Sequence, residues 1–368
     1  MIYRTAFTVL LAILSSAQLT IAQTAQPPGP VADFKLDEAT RTQVLEQSLK
    51  HVRERYVFPD IGDAMEKALR VRIANKEYDG IESAAALAAK LTADLQAVSR
   101  DKHLRVKLVD PAAARARLPQ DDAARREAAA VESRRGNHGF RRVERLAGNI
   151  GYIDLRAFSP ARWAAEKAAA AMNLVADTEA LIIDLRENGG GDPEMVALMV
   201  SYLLEGEPVH LNDFVDREGK VVSDFWTSKG LPGKLFVGKD VYVLTSGTTF
   251  SAAEGFAYDL TNLKRATLVG ETTGGGANPV TMLDVGERFR IALPIGRARS
   301  PITQTNWEGA GVKPDISVPA KLALHTAHLA ALTKLTEKND SPSQSAALAT
   351  AIERARKELE DLKAGGAG

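Results

Sequence analysis

The sequence predicts an α/β protein with a helical N-terminal region, on three observations. From Gly148 onward, short runs rich in β-branched residues (Ile150 to Leu155, Ala180 to Leu185, Val241 to Leu244, Ala266 to Gly270) are apolar without alternation. Between them lie stretches of helical texture, Trp163 to Val175, Pro193 to Leu204 and Ala252 to Leu263. Continuous apolar strands separated by helices imply a largely parallel sheet covered on both faces. Ahead of that region Leu87, Leu91, Leu95 and Val98 recur at spacings that place them on one helix face.

In chain order, Arg4 followed by the apolar run Ala6 to Leu14 is too short to span a bilayer and reads as an export leader. Small residues at Thr20-Ile21-Ala22 predict cleavage after Ala22, giving a periplasmic or secreted protein without stable membrane insertion. Residues 23–110 form a helical domain, broken at Tyr56-Val57-Phe58-Pro59 because proline forces its predecessor out of helical geometry. That domain ends near His103, where Leu104 to Val109 alternates like a strand. Residues 111–147 read as a linker, in which Pro111 to Arg135, rich in alanine and charge and lacking an apolar stripe, is a solvated helix or linker. An α/β domain follows over 148–335, in which Phe289 to Leu293 alternates like an edge or hairpin strand. The tail, 336–368, carries a narrow stripe (Leu348, Ile352, Ala355, Leu359, Leu362) suited to a docked helix, since about two heptads are too few for a coiled coil.

Composition removes several chemistries. The chain of 368 residues has 47 basic and 47 acidic side chains, so no bulk positive field attracts nucleic acid. It has no cysteine, which excludes disulfides, thiolate metal sites and a thiol nucleophile.

Three loops that follow strands have the residue types for catalysis. Asn188-Gly189-Gly190-Gly191 lets backbone approach a ligand closely and leaves amides free for an anion; a tight turn is the plain alternative. In Thr245-Ser246-Gly247-Thr248-Thr249-Phe250-Ser251-Ala252-Ala253-Glu254, Ser251 sits at a helix mouth, either as a nucleophile or as an ordinary N-cap. Ser246 is the rival nucleophile. Gly270 to Ala277 is a second glycine-rich turn, a groove wall or a plain flexible loop. A serine needs a base, and spacing alone does not choose among six histidines. Glu308, in a glycine-rich loop, is a candidate to orient one, or else a surface acid.

Taken together, GNIGYIDLRAF (148–158), ALIIDLRENGGG (180–191), TSGTTFSAAEGFAYDL (245–260), LVGETTGGGANP (268–279) and NWEGAGVKPDI (306–316) resemble the family S41 serine peptidases. These form the tail-specific or C-terminal-processing group, and the likeness is greatest to the branch related to interphotoreceptor retinoid-binding protein. YVFP (56–59) and DKHL (101–104) extend it into the helical region. The resemblance implies a crotonase/ClpP-like core and a tricorn-like triad of Ser251, His103 and Glu308. It implies oxyanion donors at Gly190, with Gly189 less favoured, and Ala252. The lysine base of another branch falls on Gly276, which has no side chain. The PDZ domain common in the family has no room between Asp110 and Leu146. The implied activity is hydrolysis of protein or peptide substrates without metal or cofactor. The alternatives are a carrier of retinoid-like or fatty-acid-like ligands on the same scaffold, and an acyl-CoA enzyme, disfavoured by export and by the lack of a basic pocket.

Overall fold

The computed structural model describes residues 31–110, 122–337 and 342–365. The leader and its cleavage point at Ala22 lie outside the described residues. Three helices open the described chain: α1 (Glu38–Arg55), α2 (Pro59–Ala74) and α3 (Ala84–Ser99). Asp37 caps α1 through the Thr40 amide, Pro59 starts α2 at a position that needs no amide donor, and Ser83 caps α3 through the Ala86 amide. Val52, Met65, Leu87, Leu91 and Leu95 meet in one core, which also takes in Phe289, Ile291 and Leu293. Those last residues belong to a small sheet. Strand β1 (Arg105–Leu108) pairs antiparallel with Phe289–Pro294, which pairs in turn with Val280–Asp284. Phe289–Pro294 is therefore the hairpin strand of the two alternatives, paired with Val280–Asp284, and it is central rather than an edge because β1 arrives from far along the chain to cover its other side.

The main sheet has six strands. Numbered along the chain, β2 is Phe140–Leu146, β3 Ile150–Leu155, β4 Ala180–Asp184, β7 Asp240–Thr245, β8 Thr267–Gly270 and β12 Ile316–Ser317. Their spatial order is β12-β8-β7-β4-β3-β2, parallel throughout except the β2–β3 pair. Alternate residues serve opposite layers. Ile153, Leu155, Leu181, Ile183, Val241 and Val243 pack with the crossover helices 161–175, 193–201 and 252–262. Ile150, Tyr152, Ile182, Tyr242 and Leu244 pack with Ala320–Thr336 and, beyond it, Leu348, Ile352 and Ala355 of the terminal helix Pro342–Ala364. That helix docks, as its stripe predicts.

Two features differ from the sequence reading. Strand β2 lies within the stretch read as linker. Its charged side chains (Arg141, Arg142, Glu144, Arg145) are tolerated because it is an antiparallel edge strand, half-exposed. A hairpin of β5 (His210–Asp216) and β6 (Val221–Trp226), extended by Gly296–Arg299, forms a third sheet for which the sequence offered no expectation. Between Asp110 and Leu146 the described residues form one helix, a 3₁₀ turn and β2.

Candidate active site

Ligands of open parallel sheets gather outside the carboxyl ends of the strands. Strands β4, β7 and β8 are neighbours, so the three loops that follow them emerge side by side. The loop after β7 delivers Ser251, which holds φ 56°, ψ −124° at the start of its helix. An N-cap normally sits in the extended region with negative φ, whereas this backbone is one that L-residues rarely adopt. Such strain persists only where surroundings enforce it. Here Glu254 enforces it. Its buried carboxylate accepts from the Ser251 amide (2.8 Å), the Gly275 and Gly276 amides (2.6 and 2.8 Å) and the Thr273 hydroxyl (2.5 Å). One acid thereby ties the serine elbow to the second glycine-rich loop, and desolvation pushes its pKa above the ordinary value. The sequence showed Glu254 only as a letter of the helix-start motif.

Ser246, the rival, is spent on structure. Its hydroxyl donates to the Arg186 carbonyl at 2.5 Å, and it lines a different groove with Arg186 and Glu271.

Ser251 and His103 both line one cavity of about 250 Å³, and His103 is the only histidine on its wall. His103 arrives from the turn between α3 and β1, which Arg100 opens in the left-handed conformation at φ 57°. Two contacts pin that turn: Lys102 Nζ donates to the Gly274 carbonyl (2.6 Å) and Asn278 Nδ2 donates to Asp101 Oδ2 (2.9 Å). The imidazole packs against Phe250 with centroids 4.5 Å apart. A Cβ at Gly276 would run into the Phe250 ring and come within 2.6 Å of His103 Cε1. The histidine thus occupies the space that a lysine at position 276 would need.

Behind the imidazole lie two carboxyls, with the candidate ligating atoms of Asp101, His103 and Glu308 within 4.8 Å of one another. Asp101 is 1% exposed; it accepts from the His103 amide (2.9 Å) and the Tyr56 hydroxyl (3.2 Å), and its Oδ1 is 3.8 Å from His103 Nδ1. Glu308 Oε2 accepts from the Ala277 and Asn278 amides at 2.5 and 3.2 Å. Among these three residues, His103 Nδ1 and Glu308 Oε1 are buried without hydrogen-bond partners. Asp101 already accepts three hydrogen bonds, from the His103 amide, the Tyr56 hydroxyl and Asn278 Nδ2.

Desolvation lowers the His103 pKa, which keeps the ring neutral and able to accept a proton at neutral pH. Desolvation first, and then the Asp101 charge, push Glu308 from an ordinary 4.5 up to about 7. The folded protein therefore binds a proton there that the unfolded chain releases. This group's contribution is most favourable below about pH 4.5 and is lost as pH rises through about 7. Glu308→Gln is expected to remove that dependence, worth up to about 3 kcal/mol between the two limits. Urea midpoints of both proteins from pH 4 to 8 measure it, and parallel curves would contradict it.

Of the amides expected at an oxyanion, that of Ala252 belongs to the first turn of its helix, where backbone donors lack intrahelical acceptors, and Ala252 lines the cavity. The Gly190 amide donates to Asn188 Oδ1 at 2.9 Å, directly behind Ser251, and a Cβ at Gly190 would lie 2.8 Å from that of the serine. Asn188 is a brace the sequence reading did not single out: buried, it donates to the Leu155 carbonyl and its own carbonyl accepts from the Phe250 amide. Gly189 is exposed, and Gly191 reaches the cavity wall.

Family models match this chain over two adjoining stretches. Residues 149–318 match peptidase family S41, and residues 36–137 match the N-terminal domain of S41 peptidases described for eukaryotic interphotoreceptor retinoid-binding protein. The chain belongs to peptidase family S41. Among curated S41-type relatives, it is 28% identical over 171 residues to the chloroplastic carboxyl-terminal-processing peptidase 2 of Arabidopsis thaliana, spanning 46% of this chain and 32% of that protein. It is 28% identical over 183 residues to a carboxy-terminal-processing protease of Bartonella bacilliformis, spanning 48% and 41%. The chain thus spans well under half the length of these relatives. In fold it is similar to a lipoprotein from Streptococcus agalactiae (TM-score 0.53, 17% identity, 82% of this chain and 99% of that one). A putative peptidase from Parabacteroides merdae is similar too (TM-score 0.52, 18% identity, 76% and 90%). No helix among the described residues is long and apolar enough to cross a membrane.

Proposed function

We propose that this S41 chain is an exported serine endopeptidase, acting on protein or peptide substrates in the periplasm or outside the cell. The observation that carries the reading is the strained Ser251 sharing a cavity with the mostly buried His103, whose pKa desolvation lowers. His103 takes the Ser251 proton as the hydroxyl attacks a peptide carbonyl. Glu308, its Oε1 uncommitted, then holds Nδ1–H and stabilises the imidazolium. Asp101 positions the ring from below through the His103 amide. The Ala252 amide meets the developing oxyanion, and the negative oxygen draws the Gly190 amide from Asn188 Oδ1, exchanging a neutral hydrogen bond for a charge-assisted one. That exchange is favourable only once charge develops, so it favours the transition state over bound substrate. Water then releases the acyl-enzyme.

A carrier of retinoid-like ligands is less well supported, since about 250 Å³ falls below the ~300–1,000 Å³ typical of sites for drug-sized molecules. The test is labelling by a fluorophosphonate probe. Wild type is expected to be labelled at Ser251, and Ser251→Ala to lose the label while keeping its far-ultraviolet spectrum and melting temperature. Unchanged labelling of the variant would refute the nucleophile.

A further inference from the structure

The cavity beside Ser251 has a floor that the proposed chemistry leaves unused. Ala252, Gly255 and Asp259 lie on one face of the helix that Ser251 opens and form one wall. Gly255 leaves room between that wall and Trp307, whose ring would sit 3.2 Å from a Cβ there. Val196, Leu211, Phe214, Phe225 and Trp307 make the remaining sides mostly apolar.

The floor is polar. Asp259 is 5% exposed and Asn212 7% exposed. Asn212 Nδ2 donates to Asp259 Oδ1 at 3.2 Å, and Asn212 Oδ1 is buried with no partner. Among the described residues, no lysine or arginine lines the cavity. A buried carboxyl and an amide whose oxygen has no partner thus line an otherwise mostly apolar cavity. Leaving a buried polar group such as Asn212 Oδ1 unpaired costs about 1–3 kcal/mol, so the site calls for an occupant. Desolvation pushes the Asp259 pKa well above the ordinary carboxylate range, and a cation placed beside it would favour the ionised form.

Resting on the reading of Ser251 as nucleophile, we propose that this cavity is the subsite for the residue on the carbonyl side of the scissile bond, and that Asp259 with Asn212 selects lysine or arginine there. The depth fits. Asp259 lies seven residues along the helix from Ala252, roughly 10 Å at 1.5 Å per residue, within reach of only the longest side chains. Methylenes of such a side chain pack on the apolar walls while its cationic end meets the two acceptors. The carboxyl is already desolvated in the folded protein, so an arriving cation costs its own dehydration and the release of the carboxyl proton.

The test uses internally quenched peptides identical except for lysine, arginine, norleucine or glutamine at the position before the scissile bond. Lysine and arginine peptides are expected to exceed the norleucine peptide in kcat/KM by about 10-fold or more, and Asp259→Asn to bring that ratio to unity or below. Equal or better cleavage of norleucine by wild type overturns the subsite, as does a ratio that survives Asp259→Asn. Fluorophosphonate labelling of the same preparations separates the two failures: a labelled enzyme that prefers norleucine loses only the subsite assignment. Binding to Ser251→Ala reads the pocket without turnover. There the lysine peptide is expected to bind about 10-fold more tightly than norleucine, and equal affinity overturns the assignment even if no peptide is cleaved.

Discussion

Gly276→Lys is expected to lower kcat/KM by on the order of 10²–10⁴, the range of a lost general base, although it restores the residue that another S41 branch uses for that role. The reason is volume. Even a methyl at this position meets Phe250 and lies 2.6 Å from His103 Cε1, and Gly276 also supplies an amide to Glu254. The ring must leave its place against Phe250, and Nδ1 must move from the carboxyls behind it. Gly276→Ala is expected to lose activity in the same direction by the same displacement. In the double variant His103→Ala, Gly276→Lys the clash with the imidazole disappears, so partial recovery relative to Gly276→Lys is expected. Steady-state kinetics on a casein-derived peptide measures all four proteins. Wild-type activity in Gly276→Ala would mean that the imidazole is not held where proton transfer needs it.

Glu254→Ala is expected to be the most damaging single change to the fold around the site. It orphans the amides of Ser251, Gly275 and Gly276 and the Thr273 hydroxyl together, all on one buried acid. At about 1–3 kcal/mol for each buried donor left unpaired, and with some rescue by entering water, a loss of at least about 3 kcal/mol is expected. Because the same bonds hold Ser251 at positive φ, labelling by fluorophosphonate should fall more steeply than stability does. Glu254→Gln keeps the size and part of the acceptor capacity, so it should recover much of the stability but less of the labelling. Urea unfolding and labelling rates on the same samples make the comparison. A Glu254→Ala protein as stable as wild type would show that the carboxylate is not the brace of the elbow.

The strands and crossover helices were legible because burial on both faces makes a parallel strand continuously apolar, a signal that survives in one dimension. The small central strand was legible as a strand but not in its place: alternation in Phe289 to Leu293 records one buried face and says nothing about which neighbours flank it. The 210–226 hairpin was missed because its exposed second strand, Val221 to Trp226, carries no buried stripe. In the site, loop chemistry and resemblance named Ser251, His103 and Glu308 as candidates. Sequence gave no weight to Asp101 beyond its place in the D-x-H segment, nor to Asn188, Glu254 or Asp259, since each acts through partners elsewhere in the chain. Asp101, for example, meets Asn278 across 177 positions.

By itself, then, the sequence determined the doubly buried strands, which loops follow them and which residue types stand there, because those are properties of neighbours along the chain. Only the tertiary structure decided that one histidine of six shares the serine's cavity, that its ring excludes a side chain at position 276, and that a buried acid waits at the cavity floor. These follow from strand order and from the α3–β1 turn being pinned to a loop more than 170 residues away, through Lys102 and Gly274. Contacts of that separation are set by packing in three dimensions, and no local pattern of residues encodes them.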